Sequence, residues 1–356
     1  MSHDEVVKNT SKQEDESTMK ITTIAIDIAK SVFHLYAVNK AGRLVKKKMI
    51  KRNLLLSTVA KFEPCTIAIE ACGSANHWAR EFTKLGHKTV LIAPQFVAPY
   101  RKGNKNDYND AQAIAEAAQR PDMRFVPIKS IEQQDVQILH RIRQRLVKQR
   151  TALTNQTRGM LAEYGIVMNK GRKAFKEMMP LILEDAENQL TVISRALFCE
   201  LSEEFTAIED KLVEYDKLII QENKNNGICQ RLHGILGIGP VTATALYAAV
   251  GDGKEFKNGR HLSAWCGLVP KQHSTGGKSN LLGISKRGNS YLRTLFIHGG
   301  RSVLRHSTNK TDKFSLWAKS LEERRGFNKA CVAIANKLAR IAWVVMARGE
   351  EFKASM

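Results

Sequence analysis

Four acidic residues stand where the chain could do chemistry. Asp27 ends the apolar run TTIAID, Glu70 closes TIAIE, and Asp107 and Asp110 lie three apart in NKNDYNDAQAIAEA. A spacing of three puts two side chains on one face of a helical turn. Two strand ends and one helix start meeting at one sheet edge would gather only carboxylate oxygens. Such ligands suit Mg2+ or Mn2+, hard cations that keep several waters and bridge to phosphate. A pair of these ions can activate an attacking oxygen and stabilise a leaving one during in-line displacement. Each acid also has an ordinary reading. Asp27 could start a turn, Glu70 could be an exposed strand end, and Asp107 or Asp110 could cap the following helix. Together, in the order of elements described next, they favour a catalytic site. Asp122 and Glu116 lie nearby but outside the pattern.

The elements that must position these acids follow from the hydrophobic pattern. TTIAIDIAK, VFHLYAV and LVKKKMI are β-branched or alternating runs joined by short turns, which predicts an antiparallel meander. Residues 54–61 read as a helix, CTIAIEA as a fourth strand, ANHWAREFTKLG as a helix ending at Gly86, and KTVLIAP as a fifth strand. DAQAIAEAAQ is an Ala-rich helix stopped by Pro121. The order β-β-β-α-β-α-β-α is that of a ribonuclease-H-like domain, expected over residues 20–125. Residues 1–19 are polar and mixed in charge, with no apolar h-region, and read as a disordered tail.

Composition points to a polyanionic partner. The 356 residues carry 56 Lys+Arg against 35 Asp+Glu, a formal net charge of +21. That excess suits repeated phosphate contacts. An anionic membrane surface is the weaker reading, and no uninterrupted run of 18 apolar residues marks a bilayer span. The most apolar late stretch, Ala330 to Met346, is broken by Asn336, Lys337 and Arg340 and reads as an amphipathic helix. Six cysteines are scattered without C-x-x-C pairs or zinc spacing, and are expected to be reduced and buried, as in a cytoplasmic protein.

Residues 126–229 read as mainly helical. Arg141, Arg143, Arg145, Lys148, Arg150 and Arg158 occur with no acid among them, which favours a phosphate-facing surface over a merely solvated helix face. Leu197, Leu201, Phe205, Ile208, Leu212, Tyr215 and Ile219 follow a near-heptad spacing. That fits a coiled coil or long hairpin, and equally an amphipathic helix packed on its own domain. Residues 230–356 open with LHGILGIGPVTATALYAAVGD. Gly237 and Gly239 sit there in a turn between apolar helical segments, resembling a helix-hairpin-helix unit that presents N–H groups to phosphate. A tight αα corner with no ligand has the same pattern. Next comes WCGLVPKQHSTGGKSNLLGISKRGNSYLR, a cationic, Gly-rich segment expected to be a functional loop.

These blocks in this order, with the C-terminal NKLARIAW, resemble the transposases of the insertion sequence 110 family. The likeness is strongest to its 1111-type branch, with Piv-type DNA invertases as relatives, and runs from about residue 20 to the C-terminus. The resemblance implies a RuvC-like, ribonuclease-H-like N-terminal domain with a DEDD tetrad, a helical coiled-coil linker, and a mostly α-helical C-terminal transposase domain. The tetrad maps onto Asp27, Glu70, Asp107 and Asp110. The family's nucleophilic serine falls in QHSTGGK, on Ser274, with Thr275 as runner-up and Ser279 and Ser285 behind. The implied chemistry is attack of the serine on a DNA phosphodiester, giving a phosphoserine link and a free 3′-hydroxyl. Lys271, Lys278, Lys286 and Arg287 are placed to offset phosphate charge. The resemblance also implies a dimer or tetramer and an element-encoded guide RNA. The competing reading is a structure-selective, resolvase-type endonuclease that uses the same acids with water as nucleophile.

Overall fold

Period-two alternation builds the first sheet and decides what lies on each of its faces. In the computed structural model, which describes residues 20–102 and 106–353, the strands are β1 (Thr23–Ile28), β2 (Val32–Val38) and β3 (Leu44–Lys51). After them come α1 (Leu55–Val59), β4 (Thr66–Glu70), α2 (Ala75–Lys84), β5 (Lys88–Ile92), α3 (Pro94–Val97), α4 (Asp107–Ala118) and a short β6 (Phe125–Val126). The tail expected over residues 1–19 lies outside the described residues.

The sheet order is β3-β2-β1-β4-β5-β6. β1, β2 and β3 form the expected antiparallel meander, while β1–β4 and β4–β5 are parallel. This mixed α/β arrangement is consistent with a ribonuclease-H-like fold. Ile24, Ile26, Ile67 and Ile69 pack with Trp78, Ala79 and Phe82 of α2. The alternate residues Ala25, Ala68, Val90 and Ile92 pack with Ala113, Ile114 and Ala117 of α4. Small side chains on both sides let α4 lie close to the sheet. These residues form a first compact unit that ends at Lys129, and a second begins at Ser130.

The second unit contains α5 (Ile131–Ala162), α6 (Arg172–Glu184), α7 (Val192–Asn225), α8 (Gly227–His233), α9 (Pro240–Val250) and α10 (Gly259–Trp265). Strands β7 (Pro270–Thr275) and β8 (Lys278–Ile284) follow, then α11 (Ser290–Arg305), α12 (Lys313–Arg325) and α13 (Phe327–Arg348). It has two hydrophobic cores, one drawn from residues 146–212 and one from residues 229–346.

A capping box at Ser130 and Gln133 starts α5. Arg143 on α5 pairs with Asp216 on α7, and further along Arg150 pairs with Glu209, so the two long helices run antiparallel. Of the near-heptad residues, Phe205, Ile208 and Leu212 are buried in the core shared with Leu146, Leu153 and Phe175, whereas Leu197 is 55% exposed. Packing within the chain therefore uses much of that apolar stripe.

Three expectations change. Gly237 has φ +85°, and a Cβ there would lie 2.6 Å from Val303 Cγ2 and 2.9 Å from the Gly299 carbonyl. Close approach to α11 is thus what requires glycine at 237, and the turn between α8 and α9 is first of all a packed corner. The segment expected as a loop around Ser274 is an antiparallel hairpin. Its Gly276–Gly277 turn has positive φ at both residues, as a two-residue hairpin turn needs. Not all the cysteines are buried: Cys229, Cys266 and Cys331 are, Cys65 is half-buried, and Cys72 and Cys199 are exposed.

Helix α13 has the length and apolar composition to cross a membrane, but half of its most apolar window is buried inside this unit. Ile334, Leu338, Ala342 and Val345 lie in the core, and Lys329, Lys337 and Arg340 interrupt its other side, as an amphipathic core helix requires.

His140 ties α5 to the C-terminal core. Its ring nitrogens pair with Thr244 Oγ1 at 2.9 Å and Tyr291 Oη at 3.0 Å. Burial, helped by the Arg143 charge, lowers its pKa to about 4. The folded chain holds this ring neutral while the unfolded chain protonates it near pH 6.5, so stability is full above that pH and is lost as pH falls towards 4. The loss reaches about 3 kcal/mol. Thermal melts from pH 7.5 to 4 should show this slope, and His140→Gln should flatten it between pH 6.5 and 4. An unchanged slope would remove His140 as its source.

Candidate functional site

The parallel register of β1 and β4 pairs Ile26 with Ile69, and the next residues along are Asp27 and Glu70. Both acids thus stand at the carboxyl ends of neighbouring strands, where open α/β sheets hold their ligands. They continue the Ala25 and Ala68 rows, so alternation directs them to the face covered by α4. Helix α4 begins one residue after Asn106, whose side chain accepts from the Tyr108 N–H at 2.9 Å. The helix cap is therefore Asn106, and neither Asp107 nor Asp110 is occupied with capping. Both lie in the first turn of α4, above the strand ends.

Ligand atoms of Asp27, Asp107 and Asp110 all fall within 4.8 Å of one another. Glu70 is outside this tight group but close enough to be felt: its charge helps to raise the Asp27 pKa. The structure thus gathers three of the four expected acids into one cluster, with the fourth at its margin. Burial, then the charges of Asp110, Asp107 and Glu70, lift Asp27 to about 6. Burial raises Glu70 as well, with Arg101 opposing and Asp110 adding to the shift. Asp110 is 7% exposed and forms an ion pair with Arg101 Nε, without an aligned hydrogen bond to its Oδ1.

Two partners here carried no signal in the acid pattern. Arg101 precedes the acids in the connection to α4 and has no local motif. His34 is 7% exposed and sits opposite Asp27 in the β1–β2 register, with Nδ1 3.5 Å from Asp107 Oδ2. Cross-strand pairing of the meander was the one available clue to it. The Tyr108 ring packs edge-on against His34 at 4.7 Å.

The donor set fits a divalent cation. It is made of hard carboxylate oxygens, one of them on a buried residue, in a cluster where burial, and then the neighbouring acids, lift the Asp27 pKa to about 6. Glu116, the weaker candidate, is instead paired with Lys102 at 2.9 Å and Gln112 at 3.0 Å.

In the second unit, Ser274 lies on exposed β7, paired in register with Ser279. Gln272 Nε2 donates to Ser274 Oγ at 2.7 Å, and among the described residues no carboxylate or imidazole is hydrogen-bonded to that hydroxyl. Thr275 pairs with Lys278 at the turn. Lys271, Lys278, Lys286 and Arg287 are exposed, and Lys286 takes a left-handed φ of 54° where β8 leaves the hairpin. Among the basic residues of α5, Arg141, Arg145 and Lys148 are exposed. Arg143 and Arg150 are compensated after all, by Asp216 and Glu209 of α7 at 2.6 and 2.5 Å. The missing acids lay on a distant helix, outside the segment's own sequence.

The raised pKa of Asp27 has a consequence for stability. Without metal, its folded pKa exceeds the unfolded one, so the fold is favoured at low pH and loses stability as pH rises from about 4 through about 6. For a carboxyl this exposed, solvent screening leaves about 1 kcal/mol of the effect. Asp27→Asn should therefore melt higher than wild type at pH 7.5 in a chelator, and should lose the stabilisation that Mn2+ gives wild type. Equal Mn2+ stabilisation of both proteins would show that Asp27 is not a ligand.

Comparisons with known proteins agree with this geometry. Residues 24–166 match a transposase family of the DEDD, IS110 type, and residues 229–315 match the family described as Transposase IS116/IS110/IS902. The chain is 51% identical to the transposase for insertion sequence element IS1111A of Coxiella burnetii, covering 96% of this chain and 94% of that protein. It is 45% identical to a probable family 20 transposase of Pseudomonas aeruginosa, over 93% of this chain and 98% of the other. A pilin gene-inverting protein of Moraxella bovis is 30% identical over 122 residues, about a third of each chain. With an acidic cluster at the strand ends of the matched first unit and near full-length likeness to insertion-sequence enzymes, the chain belongs to the IS110 family of transposases, enzymes that cut and join DNA.

Proposed function

We propose that this transposase works by serine chemistry on DNA, supported by Mg2+ at Asp27, Asp107 and Asp110 with Glu70 beside them. The observation that carries the metal part is the convergence of the three aspartates within 4.8 Å. Bound there, Mg2+ would supply positive charge for the phosphoryl oxygens of the scissile linkage. Arg101 holds Asp110 in place, and His34 packs against Asp107.

Ser274 is the nucleophile in this reading. Its Oγ forms a bond to phosphorus, the bond from phosphorus to the 3′-oxygen breaks, and that oxygen leaves as a 3′-hydroxyl with the proton given up by the serine. The reverse step on a new 3′-hydroxyl rejoins the strand. Gln272 orients the hydroxyl by donating to Oγ, and leaves the Oγ proton free for transfer. Lys271, Lys278, Lys286 and Arg287, with Arg141, Arg145 and Lys148, contact phosphates. Gly237 and Gly239 add backbone N–H groups near a further phosphate. Thr275 is the alternative nucleophile, one position along the same strand. Ser274 and the aspartates belong to different units, so a working site unites them within one chain or between copies. Recombination holds two DNA partners together, which is the reason to expect a dimer or tetramer. An element-encoded RNA would let base pairing choose the DNA sites while the protein reads backbone and shape. The setting is the cytoplasm, where the DNA is.

The test incubates purified protein with Mg2+, element-junction DNA and transcripts from the element's flanks, and looks for a covalent protein–DNA adduct on a denaturing gel. Wild type should form it. Ser274→Ala should abolish it, and Asp27→Ala should lower it at least about 100-fold. Metal-dependent cutting without adduct, unchanged in Ser274→Ala, would overturn the serine step and leave an endonuclease that uses water.

A further inference from the structure

A groove of about 860 Å3 lies in the second unit between α13, the start of α10, α12 and the foot of the β7–β8 hairpin. Its lining combines two features. Four cations, Arg260, Lys329, Lys337 and Arg340, face it with no acid among the lining residues. None of the four makes an ion pair among the described residues, although ion pairs occur elsewhere in this unit. Apolar and aromatic surface lies between them. Trp343 is fixed by its indole N–H, which donates to the carbonyls of Gly253 and Phe256 at 3.1 Å. Trp317 stacks beside Phe314, and Lys337 Nζ lies 4.0 Å from the Trp317 ring centroid.

Charge selects an anionic occupant, and the flat apolar walls select one with planar faces. A groove lined by cations and by aromatic surface suits an unpaired strand, whose phosphates meet the charges and whose bases meet the rings. A duplex keeps its base faces stacked inside and would leave the tryptophans without a planar partner. The volume is also of the size that takes a small-molecule-sized ligand, which suits one or two nucleotides. Pro270 and Ile284 line one end of the groove, and Ser274 is four residues from Pro270 along β7, about 14 Å away. A strand leaving the groove at that end would run beside the hairpin.

We propose that this groove holds an unpaired nucleic-acid strand, with Arg260, Lys329, Lys337 and Arg340 on its phosphates and Trp317 and Trp343 against its bases. This deepens the reading of a DNA-acting enzyme by naming what the second unit grips, and it does not depend on which group attacks phosphorus. DNA and RNA strands share the chemistry that the groove recognises.

The test measures binding of fluorescently labelled 20-nucleotide strands, one deoxyribose and one ribose of equal sequence, and the blunt DNA duplex of that sequence. Ser274→Ala protein is used in a chelator, so that no cutting is possible. Adding Lys329→Ala and Arg340→Ala should weaken at least one unpaired strand about tenfold or more. The slope of log affinity against log salt should fall by about 1.4, as loss of two single-strand phosphate contacts requires. Duplex binding should change less than about twofold. The strand with the larger loss identifies the occupant as DNA or RNA. Lys40→Ala with Lys61→Ala removes equal charge from the first unit and should leave strand binding unchanged. The inference is overturned if neither strand is weakened, if the duplex weakens as much as the strands, or if the control pair weakens them equally. Failure of the serine mechanism would appear separately, as a missing adduct in wild type with Mg2+.

Discussion

Mutual repulsion among carboxylates is the constraint around which the first unit is organised. Asp27, Asp107 and Asp110 are held within 4.8 Å, with Glu70 adding its field, and their charges add to the burial that raises the Asp27 pKa. Nothing local would keep these groups together. The parallel register of β1 and β4 sets Asp27 beside Glu70, and the Ile/Ala alternation sends both to the α4 side. Alanines on α4 and on the strands let the helix close on the sheet and bring Asp107 and Asp110 over the strand ends. Arg101 and His34 relieve part of the repulsion, but Arg101 is committed to one carboxylate. A divalent cation would complete the balance in a way that no further side chain in the cluster does.

The hairpin obeys the opposite principle, with a rigid foot and an open face. A Cβ on Gly288 would fall 1.8 Å from the Trp265 carbonyl, and one on Gly267 2.2 Å from the Arg287 carbonyl. These two glycines, both at positive φ, let the chain entering and leaving the hairpin press directly on the end of α10. Arg293 ties the same point by donating to the carbonyls of Cys266 and Arg287 at 3.1 Å. Beyond this clamp every residue of β7 is exposed. A hydroxyl presented on such an element is positioned by the fold yet reachable by a large substrate, which a buried serine would not be.

How much of this was legible in the sequence depended on the range of the interactions. Strand order, the meander and the acids at strand ends follow from period-two patterns and from where they stop, and those are local. The Asn106 cap was also local, yet an acid beside it was an equally good cap until the geometry chose. Arg101, His34 and the compensation of Arg143 and Arg150 were hidden, because each depends on a partner from another element. Asp216 and Glu209 lie far along the chain from the arginines they neutralise. The hairpin was misread as a loop because β7 is mostly polar on both faces and β8 sets Leu281 and Leu282 side by side, so neither strand shows the alternation that marks a half-buried strand, although Gly276–Gly277 carried the turn signal. Gly237 was read for its N–H groups, and its close packing against α11, which by itself requires a glycine there, was not visible.

Net charge works the same way. A formal +21 says that a polyanion is a fitting partner but not where it lies, and two of the arginines that looked most available are tied to acids. What separates a binding face from a basic surface is the absence of acids together with partial burial. Lys337 meets both conditions: burial, then the nearby Arg340 charge, lowers its pKa, and it rests on aromatic rings rather than a carboxylate. The two rings give this cation some compensation but no counter-charge. The arrangement makes physical sense where a phosphate arrives to complete it, as a metal ion would complete the aspartates. On the two proposals above, the chain carries two unfinished electrostatic sites of opposite sign, and a nucleic acid with its metal would supply what both lack.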